Sequence, residues 1–85
     1  MTGTNVTYGQ LDHVLRSLGF SCQLITDVPP ARVYEHKKSS ASIILPAFPE
    51  ENEVLDYHLA AVQTMLDVHG IADPTDFASK LKKAS

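Results

Sequence analysis

The stretch TYGQLDHVLRSLGFSCQL at residues 7–24 decides the fold, because inside it the apolar period changes from that of a helix to that of a strand. Thr7 and Gln10 stand at capping-box spacing, and Val6 and Leu11 occupy the hydrophobic-staple positions, so a helix starts there. Leu11, Val14, Leu15 and Leu18 then recur at i, i+3, i+4 and i+7 as one apolar stripe. Gly19 followed by Phe20 supplies a left-handed cap with an apolar follower, which ends the helix near Leu18. From there Phe20, Cys22 and Leu24 alternate with Ser21 and Gln23 as a first strand, halted at residues 27–30 because proline lacks the ladder donor.

Working outward, Ala31 to His36 alternates again, with Arg32, Tyr34 and His36 on one face and Ala31, Val33 and Glu35 on the other. A polar turn at residues 37–40 leads to the apolar, β-branched run 42–45, which predicts a third strand and the best-buried one. Residues 46–52, with two prolines and two glutamates, predict an exposed loop. Leu55, Leu59, Val62, Met65 and Leu66 mark a second helix, expected to be the principal packing helix, and Gly70 with Ile71 repeats the first helix's ending. Asp73, Pro74 and Asp76 give the N-cap, N1 proline and N3 acceptor of a short third helix that docks through Phe77 and Leu81. The sum is an α+β chain, α-β-β-β-α, with a three-stranded antiparallel sheet packed by helices on one face and a short C-terminal helix over about 74–83. It reads as a single domain over residues 1–85, with a core over about 7–71.

A chain of this size buries only about 60 to 65% of its unfolded surface, so core and loops must be compact. With 44% apolar and 20% charged residues the composition is globular. The longest apolar run is Ile43, Ile44 and Leu45, too short for a membrane span, and the polar opening at residues 1–5 lacks a signal-peptide pattern, so no membrane contact and a cytoplasmic location are expected. Seven basic against ten acidic side chains give a net charge of −3, which disfavours RNA as a partner. Cys22 stands alone, so no disulfide forms and the thiol reads as a small hydrophobe.

His13, His36, His58 and His69 form no i, i+4 pair and have no cysteine at ligand spacing, so no metal and no cofactor is expected. His58 and His69, eleven residues apart, stand roughly 16 Å from each other along a helix. Lys80, Lys82 and Lys83 suit the C-terminal end of the last helix. The densest chemical group is Arg32, Tyr34 and His36, a guanidinium, a phenol and an imidazole at intervals of about 7 Å. Facing outward they would bind RNA or a partner's carboxylate; facing inward, Tyr34 joins the core and the other two sit at its edge. No phosphate loop, nucleophile elbow or acid pair is present.

In this order of elements the chain resembles the HicA (YcfA-like) toxins, with their double-stranded-RNA-binding-domain-like fold. The resemblance rests on Thr7-Tyr8 through Leu18-Gly19-Phe20, on Tyr34-Glu35-His36 as an aromatic-x-His, on Leu45-Pro46 closing strand three, and on Met65-Leu66 with Gly70-Ile71. It implies a messenger-RNA interferase whose histidine ends a Gly-Ser-His at the start of strand two, three residues before the aromatic. That position is Ala31 here, and Pro29-Pro30 replaces Gly-Ser; the family's Pro-x-Pro after strand three is reduced to Pro46 followed by Ala47 and Phe48. Alanine transfers no proton, so the expected catalytic set is empty. The chain then acts as a protein-binding or self-associating module, with an antitoxin-like protein or a second copy as partner, self-association running through a strand edge or residues 46–52. The alternative is an RNA-acting toxin component using Arg32, Tyr34 and His36, with His36 as acid or base.

Overall fold

The first helix, α1, runs Tyr8–Ser17 and starts where the capping box places it. The Thr7 hydroxyl accepts the Gln10 amide proton at 3.1 Å, and the Gln10 side chain accepts the Thr7 amide proton at 2.7 Å. Its end is equally defined: Gly19 has φ +100°, and the amides of Phe20 and Gly19 donate back to the carbonyls of Leu15 and Arg16. The computed structural model describes residues 5–83, so most of the polar opening lies outside the described residues.

Three strands follow, β1 (Ser21–Ile25), β2 (Ala31–His36) and β3 (Ala41–Pro46), paired antiparallel in the order β1-β2-β3. Cys22 is level with Tyr34, and Tyr34 with Ile43. The side chains of one period, Tyr34, Ala41, Ile43 and Leu45 with Phe20 just before β1, are buried under the helices. β3 alone buries three residues, the most of any strand. Leu24 shares this face yet is 59% exposed, because helical cover does not reach it. The opposite face carries Ile25, Ala31, Val33, Ile44 and Pro46 in register, and Ile44 is 69% exposed.

The second helix, α2, runs Asp56–Val68, and the third, α3, runs Pro74–Lys83. α2 ends as α1 does, with Gly70 at φ +68° and the Ile71 amide donating to the Leu66 carbonyl at 2.9 Å. The Asp73 carboxylate caps α3 by accepting the Asp76 amide proton at 2.8 Å, and Phe77 and Leu81 are buried. The principal packing helix is α1, not α2. α1 buries Tyr8, Leu11, Val14 and Leu15, whereas α2 buries only Val62 and Leu66, because it turns a second apolar side outward.

Residues 48–52 are exposed, as expected of this loop, but the segment is more than a free connection. Pro46 belongs to β3, and Phe48 lies edge-on to Tyr8 with ring centroids 5.5 Å apart. The segment then straps the start of α1: Val54 donates to the Val6 carbonyl, and Tyr8 and Gly9 donate to the carbonyls of Asn52 and Glu50. First-turn amides have no acceptor within their own helix, and here a distant stretch of chain supplies two. The segment is held in place by backbone bonds that composition does not reveal.

Candidate functional site

The row Arg32, Tyr34, His36 lies on the helix-covered face of β2, and each member has an intramolecular partner. Tyr34, 1% exposed, donates its hydroxyl proton to Asp12 Oδ1 at 2.7 Å. The other oxygen of Asp12 accepts from Arg16 Nε at 2.9 Å, one turn further along α1. Burial raises the Tyr34 pKa well above the ordinary tyrosine value; its bond to Asp12 adds to the shift and Arg32 opposes it. The Asp12 bond in turn raises the pKa of Arg16. Arg32 is half-buried and donates from Nη2 to the Phe48 carbonyl at 3.4 Å, on the strap that leads to α2.

His36 is anchored through both ring nitrogens. The Ser39 amide and hydroxyl both lie against Nδ1, at 3.3 and 2.9 Å, so Nδ1 is the acceptor; Nε2–H donates to the Leu18 carbonyl at 3.1 Å. The ring also packs on Phe20 with centroids 5.0 Å apart. The imidazole thus ties the end of α1 to the turn between β2 and β3, in the Nε2–H tautomer. A cleft of about 330 Å³ beside it is rimmed by Gly19, Lys37 and Lys38.

Ala31 is elsewhere. It begins β2 on the open face of the sheet, level with Ile25 on one side and Pro46 on the other. Five residues along a strand are about 17 Å and an odd step, so Ala31 and His36 stand far apart on opposite faces. The row therefore does not converge with the position that the HicA resemblance makes catalytic, and the register partners of that position carry no proton-transferring group.

The remaining candidates scatter. His58 Nδ1 shares a hydrogen bond of 3.1 Å with the Tyr8 hydroxyl and packs against the Tyr57 ring; burial raises the pKa of Tyr8. His69 is the C-cap residue of α2, and His13 borders a crevice with Lys80 and Lys83. Lys80, Lys82 and Lys83 occupy the last turn of α3, and Cys22 is half-buried against the core. Among the described residues no three His, Cys, Asp or Glu side chains converge as metal ligands, and no helix is long and apolar enough to cross a membrane.

A surface the sequence reading passed over lies on α2. Tyr57, Ala60, Ala61, Thr64 and Val68 recur at i, i+3, i+4, i+7 and i+11, opposite the side that Val62 and Leu66 bury, with half-buried Met65 between this row and the core. Tyr57 is 67% and Val68 75% exposed, and the small residues between them line a shallow depression wide open to solvent. α2 therefore carries apolar residues on two sides, and only the side of Val62 and Leu66 is covered. The periodicity that found the inner stripe also finds the outer one when counted from Tyr57, but reading one stripe per helix stops too early. Comparison of the chain with protein-family models, with curated proteins and with solved structures gives no match.

Proposed function

We propose that this chain is a HicA-like α+β domain that acts by binding a protein, an antitoxin-like partner or a second copy, and not by cutting RNA. The observation that carries this reading is the separation of Ala31 from His36. The position that the resemblance makes catalytic holds an alanine among apolar neighbours on the open face, while His36 lies on the other face with both ring nitrogens engaged. A general acid or base contributes typically a hundred- to ten-thousand-fold, and neither position offers one to a substrate on the open face. The net charge of −3 works against a polyanion, whereas the outer ridge of α2 is an apolar surface of the kind that protein contacts cover.

The test is expression in cells and incubation of purified protein with messenger RNA, comparing the native chain with Ala31→His and His36→Ala. No cleavage and no growth arrest by the native chain are expected. Arrest by the native chain that disappears in His36→Ala overturns the reading in favour of an RNA-acting toxin. Arrest only after Ala31→His keeps the binding reading for the native chain and shows an RNA groove that lacks its acid-base group.

A further inference from the structure

The charges of this chain are sorted along its length. Residues 39–79 hold seven carboxylates and no lysine or arginine, while all seven cations and the other three carboxylates lie outside that stretch. The outer ridge of α2 sits in the middle of the acidic stretch. Asp56 and Asp67 flank it on the helix itself, Glu50, Glu51 and Glu53 precede its N-terminal end, and Asp73 and Asp76 follow its C-terminal end; all seven are exposed. Histidines, His58 and His69, are the only basic side chains that α2 and its cap offer.

We infer that the outer ridge of α2 is a docking seat for a basic amphipathic helix of a partner protein, a specification that rests on the protein-binding reading above. Shape and charge together select this occupant. Tyr57 and Val68 stand about 16 Å apart along the helix axis, three turns, with Ala60, Ala61 and Thr64 as a low saddle between them. Small residues at a helix contact let a second helix approach closely, and the two bulky ends fix its position along the seat. A partner helix of about 12 residues or more, with Leu or Ile at i, i+3 or i+4 and i+7, fills the saddle. Lysines or arginines beside that stripe then meet Asp56 and Asp67 on the helix and the carboxylates that precede and follow it in the chain, a stretch that itself holds no lysine or arginine.

A second copy fits the same seat poorly. In a two-fold antiparallel pair, equivalent sides of the two α2 helices face each other, which brings Asp56 near Asp67 of the other copy. A parallel pair sets both acidic loops, each with Glu50, Glu51 and Glu53, side by side at one end. Like charges in direct apposition oppose association in either arrangement.

The experiment uses two fluorescein-labelled 18-residue amphipathic peptides with the same leucine and alanine stripe, one flanked by lysines and the other by glutamates. Each is titrated with the full chain, read by fluorescence anisotropy, and the bound form is mapped by amide chemical shifts. The lysine-flanked peptide is expected to bind with shifts centred on residues 57–68, and the glutamate-flanked one to bind at least tenfold more weakly. Ala61→Arg, exposed and away from the core, is expected to weaken the lysine-flanked peptide at least tenfold. Asp67→Lys, which suits the C-terminal end of α2, is expected to narrow the preference between the two peptides. Equal binding of the two peptides, shifts on the open sheet face, indifference to Ala61→Arg, no binding, or a dimer in sedimentation that Ala61→Arg dissolves would each overturn the inference. The two readings fail separately: RNA cleavage overturns the proposed function whatever the peptides do, and peptides that fail beside an inert, non-toxic chain overturn only this inference.

Discussion

Tyr34 in the middle of β2 donates its hydroxyl proton to Asp12 of α1 across 2.7 Å, joining the sheet to the helix above it through a part-buried polar contact. Burial and this bond both favour the neutral phenol, so the folded-state pKa lies above the 10.0 of an ordinary tyrosine. The sign follows: the stabilising contribution is fully present below pH 10 and is lost as the pH rises from there through the folded-state pKa. The urea midpoint should therefore hold steady on the alkaline side up to about pH 10 and fall above it. Tyr34→Phe should flatten that fall, Tyr8 shifting in the same direction and keeping part of it.

Leu15 has no exposed surface and Val62 is 1% exposed, and both belong to the single cluster beneath the helices. Leu15→Ala should cost about 2 to 5 kcal/mol through lost transfer energy and a cavity, and Val62→Ala less because a smaller volume is removed. Equilibrium denaturation with unchanged slopes checks both.

The two capping glycines should respond differently to the same change. Both have positive φ, which side chains disfavour, but a β-carbon at Gly19 would stand 3.2 Å from His36 Nε2, whereas one at Gly70 meets nothing within 4 Å. Gly19→Ala should destabilise more than Gly70→Ala, and the latter by about 1 to 2 kcal/mol. Equal losses would mean that the His36 ring yields freely.

The hydrogen bonds of His36 specify its tautomer. Nitrogen chemical shifts of the neutral ring should show Nε2 protonated and Nδ1 bare, and Ser39→Ala should weaken that preference while leaving the bond to Leu18 in place. A ring that exchanges freely between tautomers would contradict the anchored geometry.

Local chemistry made most of this fold legible. The Thr7-Gln10 box, the Gly19 and Gly70 endings and the Asp73 cap each act within a few residues, and each stands where the sequence places it. What the sequence hid depends on distance in the chain. Nothing local to residues 50–54 announces that their backbone will pair with the start of α1, 45 or so residues earlier. In the same way, alternation put Arg32, Tyr34 and His36 together, but which face the helices cover follows from Tyr34 and Ile43 being buried side by side, a tertiary choice. The outer ridge of α2 was hidden for the opposite reason. Its residues are apolar at helical spacing, as core residues are, and only the three-dimensional arrangement separates the covered stripe from the uncovered one.

The strap over the start of α1 also bears on how the chain can be divided. Two of the helix's first amides take their acceptors from Glu50 and Asn52, on the far side of the entire meander. A fragment cut after Pro46 would keep α1 and all three strands yet leave those amides to water, along with the buried flank of Tyr8 that Phe48 covers. Closing so long a loop has an entropic cost that only the finished contact offsets, so the strap is a late event in folding and an early one in unfolding. Exchange protection at Tyr8 and Gly9 should then be lost before that of the β2 amides, even though both lie in elements that look equally regular.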